Sequence, residues 1–190
     1  MTWFDWLVSI VALIWLIAIA MFDIRDRRIP HLLWTAIPLA LAAVYRLASG
    51  RLQMVVLAAV FAVIVSERRQ LKNRIVEWIV LITALIFFLW ILTTAESLVA
   101  LGLIGICVFW LSWEMRWIGG ADAMALITCI LLWPGMAFVI AYLVAGLIWS
   151  IGARVKEGGW RRGHWVPGLG IVATAAALTI LDLAVFHLFS

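Results

Sequence analysis

Apolar runs of membrane-crossing length, broken only by short charged gaps, constrain this chain more than any other feature. Runs such as Trp3–Phe22 and Ile75–Thr94 carry almost no side chain that water would favour. Of its 190 residues 67% are apolar and 13% charged, and the mean hydropathy is +1.18. A soluble domain is about 45–50% apolar and about 25% charged. So few polar side chains cannot clothe a water-facing surface, so lipid is the solvent over most of the exterior. In lipid a spanning backbone must satisfy its own hydrogen bonds, which here means helices. The expected fold is all-α: a polytopic transmembrane helix bundle of about eight spans at about 20 residues each. Residues 1–190 read as one integral membrane domain.

Spans are expected at Trp3–Phe22, His31–Leu47, Leu52–Val65, Ile75–Thr94, Leu98–Trp113 and Pro167–Leu188. The stretch Asp122–Ser150 is harder to place. As one helix it would measure about 43 Å, well beyond a hydrocarbon core of about 30 Å. Pro134-Gly135 interrupts it, so a short helix Asp122–Trp133 and a returning helix Met136–Ile151 are expected. Charge supports the split. It places twelve basic residues on one side and leaves only Arg46 and Arg51 on the other, whereas an unbroken helix divides them eight to six. Basic loops favour the cytoplasmic side. The N-terminus is then expected outside and the basic loops on the cytoplasmic side. The short helix covers only about 18 Å, so it needs a thinned or protein-lined setting.

The same charge distribution argues against a nucleic-acid partner, because the basic residues follow topology rather than a binding face. No Lys or Arg precedes the first apolar run, so that run reads as a retained span rather than a cleaved signal. Cys107 and Cys129 lie in apolar runs and are too few for a cysteine zinc site. No metal and no cofactor is expected. Of thirteen tryptophans, Trp3, Trp6, Trp34, Trp113, Trp117, Trp133, Trp149, Trp160 and Trp165 fall near span ends, where indoles anchor at headgroups. The cationic stretch Glu67–Arg74 reads as a solvated turn.

Ten acidic residues are few enough to judge singly. Asp5, Glu67, Glu77, Glu96, Glu114 and Glu157 sit at termini, in loops or near span ends. Asp26 has three arginines beside it. Asp182 lies within the last span and reaches toward headgroup water. Asp23 and Asp122 stand apart. Asp23 ends the first span, and Asp122 opens a helix after Gly119-Gly120-Ala121. Four crossings separate them, and an even number returns the chain to the same side. Two carboxylates sharing a poorly hydrated site cannot both ionise comfortably, so they share a proton. One then activates water while the other donates to a scissile carbonyl. Glycines at 119 and 120 would let a substrate strand come close. The plainest alternative is that Asp122 N-caps its helix.

Two segments resemble a known family. Asp23-Ile24-Arg25-Asp26-Arg27-Arg28-Ile29-Pro30-His31 resembles the D-x-R-x-R-x-I-P-N signature of type IV prepilin peptidases, which are GxGD-type intramembrane aspartic proteases. Gly119-Gly120-Ala121-Asp122-Ala123-Met124-Ala125-Leu126 resembles their G-x-G-D-x-K-L motif. Val166-Pro167-Gly168-Leu169 is similar, more weakly, to the family's Pro-containing segment. The resemblance implies Asp23 and Asp122 as catalytic carboxylates. It also implies Gly119, Gly120, Ala121, Arg25, Arg28, Pro30, Pro167 and Gly168 as residues that bind substrate or shape the site. Its implied substrates are prepilin-like membrane proteins with a short basic leader, cut at the cytoplasmic boundary. His31, Ala121 and Met124 depart from the pattern, and the four-cysteine region of larger members is lacking. The separation of 99 positions from one aspartate to the other leaves room for one extra hairpin, Leu52–Thr94. The competing readings are a membrane scaffold or small transporter, in which Asp182 would join the other two acids, and a family member that binds leaders without cutting them.

Overall fold

A computed structural model describes residues 2–26, 36–50, 52–67, 73–157 and 168–189. Among the described residues there are eight helices and no strand. They are α1 (Trp3–Asp26), α2 (Ala36–Ala48), α3 (Gln53–Glu67), α4 (Arg74–Thr94), α5 (Ser97–Glu114), α6 (Gly120–Leu132), α7 (Met136–Glu157) and α8 (Gly168–Phe189). Five of them, α1, α4, α5, α7 and α8, are long and apolar enough to cross a membrane by length and composition. Large apolar side chains remain exposed along them, among them Ile14, Ile82, Ile86, Leu143 and Leu181. In water that exposure would be costly, whereas against acyl chains it is neutral. The protein is membrane-embedded.

Local chemistry explains most helix ends. Thr2 and Asp5 form a reciprocal cap on α1: the Thr2 amide donates to Asp5 Oδ2 at 2.7 Å and the Asp5 amide to Thr2 Oγ1 at 3.3 Å. The Asn73 side chain accepts from the Ile75 amide and starts α4. The α2–α3 turn is tight, with left-handed backbone at Gly50 (φ 64°) and Leu52 (φ 61°). At the end of α5 the amide of Trp117 bonds the Ser112 carbonyl, and that of Arg116 bonds Trp113. This is a Schellman closure, with Arg116 (φ 59°) where glycine is usual.

Several helices outrun the apolar runs that announced them. α1 continues past Phe22 to Asp26, and α7 past Ile151 to Glu157. No proline follows within those extensions, Gly152 is the single glycine in them, and Arg and Lys are good helix formers. The hydropathy marks where lipid ends, not where the helix does. The part of the expected second span before Ala36, including His31, lies outside the described residues, as do Pro167, residues 68–72 and residues 158–166.

Two packed units result, Met1–Trp34 with Met136–Ser190, and Thr35–Gly135. In the first, α8 packs against both α7 and α1. Its contact face is small-residue rich, with Val172, Ala175 and Ala176 fully buried. Small side chains let helices approach closely in lipid. A bond from Trp149 Nε1 to Thr174 Oγ1, 3.0 Å, ties α7 to α8.

The second unit is built around α6. From Ala123 to Leu132 none of its residues is more than 8% exposed. It packs on α2, α3 and α5, while α4 lies against α3 and α5. The expected protein-lined setting for this short helix is therefore what the structure has. Gly102 and Gly105 on α5 make the approach possible. A Cβ at Gly105 would fall 2.6 Å from Ile130 Cδ1, and one at Gly102 3.3 Å from Val55 Cγ1. α3 buries Val55, Ala58, Ala59, Ala62 and Val65 completely. Half of the hairpin Leu52–Thr94 is thus core rather than appendage.

The break at Pro134 is also as expected: α6 stops at Leu132 and α7 starts at Met136. Proline has no amide for the helix ladder and clashes with the preceding turn. The Gly135 amide turns back to the Trp133 carbonyl at 2.8 Å instead. Trp133 corrects one expectation. It is 6% exposed rather than headgroup-facing, because the helix it follows ends inside protein.

Candidate functional site

Asp23 lies in the last turn of α1, and the apolar stretch of that helix long enough to cross a membrane, Trp3–Asp23, ends on it as expected. It is half-buried, following the exposed Met21 and Phe22. Arg25, in the same turn, is exposed, and its charge suits the negative end of the helix dipole. Arg28 and Pro30 lie outside the described residues, and so does Pro167. Gly168, half-buried, is the first residue of α8.

Asp122 is the third residue of α6, not its cap. Gly119 caps the helix with extended backbone (φ −67°, ψ 154°), and its carbonyl accepts from Ala123 at 3.0 Å. The helix therefore begins at Gly120, two residues earlier than expected. Both glycines and Ala121 belong to the turn that presents the acid. The Asp122 carboxylate folds back over the cap, so a Cβ on Gly119 would meet Oδ2 at 3.1 Å. Gly119 makes room for the acid that follows it. Asp122 is half-buried, while everything after it on α6 is buried. The carboxylate sits at the only accessible end of its helix, and an anion in the first turn suits the positive end of the dipole.

Asp23 belongs to the first unit and Asp122 to the second. Within the second unit, α6 has a fixed direction. Arg46, near the C-terminal end of α2, donates from Nε to the Leu131 carbonyl at 2.5 Å and from its terminal nitrogen to Leu132. Two packed helices of thirteen residues are thus joined at their C-terminal ends and run parallel. The Asp122 end of α6 and the Ala36 end of α2 lie at the same end of that unit.

Reading the sequence gave Arg46 no task beyond being an outlying charge. Its spacing offered one clue, a lone cation in the last turn of an apolar helix. A second group carried no sequence signal at all. The hydroxyls of Ser66, Thr83, Ser112, Thr174 and Thr179 all return to carbonyls one turn back. That of Thr128, buried on α6, has no partner. Met124, where the prepilin-peptidase motif has lysine, is fully buried. An ammonium there would be costly. Asp182 is exposed on α8.

Fold and site together describe an all-helical, membrane-embedded protein with one acid at the mouth of a buried short helix and another on the last turn of its first. No family model, characterised protein or solved structure matches the chain.

Proposed function

We propose that this protein is an intramembrane aspartic endopeptidase of the prepilin-peptidase type. It removes the basic leader of prepilin-like membrane proteins at the cytoplasmic boundary, with Asp23 and Asp122 as a catalytic dyad. The observation that carries the reading is the pair of motifs, Asp23-Ile24-Arg25-Asp26-Arg27-Arg28-Ile29-Pro30 and Gly119-Gly120-Ala121-Asp122, with Asp23 in the last turn of α1 and Asp122 in the first turn of α6.

The chemistry needs only the two carboxyl groups and water. The ionised member takes a proton from water as its oxygen attacks the scissile carbonyl carbon. The protonated member donates its proton to the carbonyl oxygen, giving a neutral tetrahedral diol. Collapse breaks the C–N bond. The amine leaves with a proton from one acid, and a hydroxyl proton of the diol returns to the other. Arg25 and Arg28 pair with Asp26 or meet lipid phosphate. The buried Met124 removes one cation from the usual leader contacts, so recognition falls on other residues of this face. Orientation follows the basic loops, with the N-terminus outside.

The test is co-expression with a prepilin-like substrate, scored by the mobility shift of the processed form. Cleavage after the leader is expected in membranes holding the intact protein. An unprocessed substrate there, with the protein abundant, would refute the assignment.

Gly119 gives a finer expectation. A methyl at that position pushes the Asp122 carboxylate by a few tenths of an ångström. Since a 1 Å misplacement can cost about 100-fold, Gly119→Ala should lower kcat by roughly three- to tenfold with KM little changed. Steady-state cleavage of a synthetic leader peptide in detergent measures it.

A further inference from the structure

We infer that Arg46 is a positioning residue, which clamps the buried end of α6 and so fixes the depth of Asp122 at the other end. The inference rests on the dyad reading for its catalytic half and on geometry for the rest.

The last carbonyls of any helix lack donors within it. For α6 the shortage is acute. Pro134 has no amide to offer, and the amide of Gly135 is turned to Trp133. Leu131 and Leu132 are 0% and 8% exposed, so water does not replace the missing donors. Arg46 does. Its planar guanidinium presents two N–H groups side by side, and these meet the two neighbouring carbonyls. The cation also lies at the negative end of the α6 dipole. Tyr45 adds its ring face, 5.0 Å from the guanidinium carbon.

The clamp joins α6 to a partner of equal length running in the same direction. Asp122 lies nine residues before Leu131, about 14 Å along a rigid helix. A helix pinned at one end and closely packed along its length holds its other end at one level. Without the clamp, the carbonyls of Leu131 and Leu132 lose their partners inside protein. The last turn then unwinds or shifts to find others, and Asp122 moves with it.

Cys129, fully buried one turn from the clamp, reports on this independently of activity. In a Cys107→Ala background it is the single thiol. N-ethylmaleimide labelling in native membranes should be slow with Arg46 present. Arg46→Met should speed it about tenfold or more, as local opening becomes easier. Arg46→Lys, which keeps the charge but not the fork, should fall between. Arg74→Met, an equal loss of charge at the exposed start of α4, should change nothing. On cleavage, Arg46→Met should lower kcat about tenfold or more with KM within about twofold, and Arg46→Lys should restore part of it.

Unchanged labelling in Arg46→Met would overturn the clamp, and faster labelling with wild-type kcat would overturn the positioning role. If Arg46→Met does not accumulate, Arg46→Lys decides both points. If the unsubstituted protein cleaves nothing, the dyad reading fails, while the labelling still decides the clamp.

Discussion

Asp23→Asn and Asp122→Asn should each lower cleavage of a prepilin-like substrate by about 10²–10⁴-fold, the range for loss of a positioned acid or base. Asparagine keeps the size and polarity of the side chain, so folding should survive. It can neither take a proton from water nor return one. Both variants should accumulate in membranes at wild-type levels, because each acid is half-buried at a helix end rather than locked in the core. The double variant should be no worse than the worse single, as the proposed dyad requires of two groups acting as one unit. Asp182→Asn, on the exposed face of α8, should cleave normally. Wild-type turnover in either single variant would remove that residue from the dyad. A loss in Asp182→Asn comparable to theirs would favour a relay of acids through the bilayer.

The second large effect concerns the lipid itself. Ile86, near the middle of α4, is 62% exposed. Ile86→Asp should cost about 3 kcal/mol of insertion free energy, the value for an acid near a helix centre. That corresponds to a shift of roughly 100-fold in the inserted fraction. Val76→Asp, in the first turn of the same helix, should cost far less because the carboxylate reaches headgroup water. Glycosylation mapping of α4 in microsomes reads both. Equal insertion of the two variants would mean that Ile86 does not face acyl chains.

How much of this was legible beforehand varies by element. The eight helices could be read because lipid forces apolar runs to be helical, and nothing else in 190 residues competes. The break between α6 and α7 was legible for two separate reasons, Pro134-Gly135 and the balance of basic loops. Helix ends were read less well. α1 and α7 continue into charged sequence, since hydropathy reports the surroundings of a helix and not its hydrogen bonds. The cap was the plain alternative to a catalytic role for Asp122, because Asp so often caps a helix. Gly119 holds that position instead, and the Asp122 carboxylate folds back over it. Arg46 could not be assigned from sequence. Its partners are two carbonyls 85 and 86 residues away, and main-chain acceptors carry no signature in side-chain identity. The unpartnered hydroxyl of Thr128 is invisible for a similar reason: only the packing around it decides whether it turns back to its own helix.

The role of α3 shows another limit. By comparison with the prepilin-peptidase spacing, Leu52–Thr94 looks like an inserted hairpin. Within its unit, α3 touches α2, α4, α5 and α6, with a fully buried alanine face. Spacing between motifs measures chain length and says nothing of where the extra chain packs.

The proposed dyad is best tested by joining its two positions. With Cys107→Ala and Cys129→Ala as background, Asp23→Cys and Asp122→Cys leave one thiol at each site. A disulfide requires Cα atoms about 4.4–6.8 Å apart, and small movements in the membrane widen that only slightly. Rapid cross-linking under mild oxidant in intact membranes, reversed by dithiothreitol and absent from each single-cysteine protein, is the expected result. Two thiols that never join, with one labelled only from outside the cell and the other only from within, would contradict the shared site.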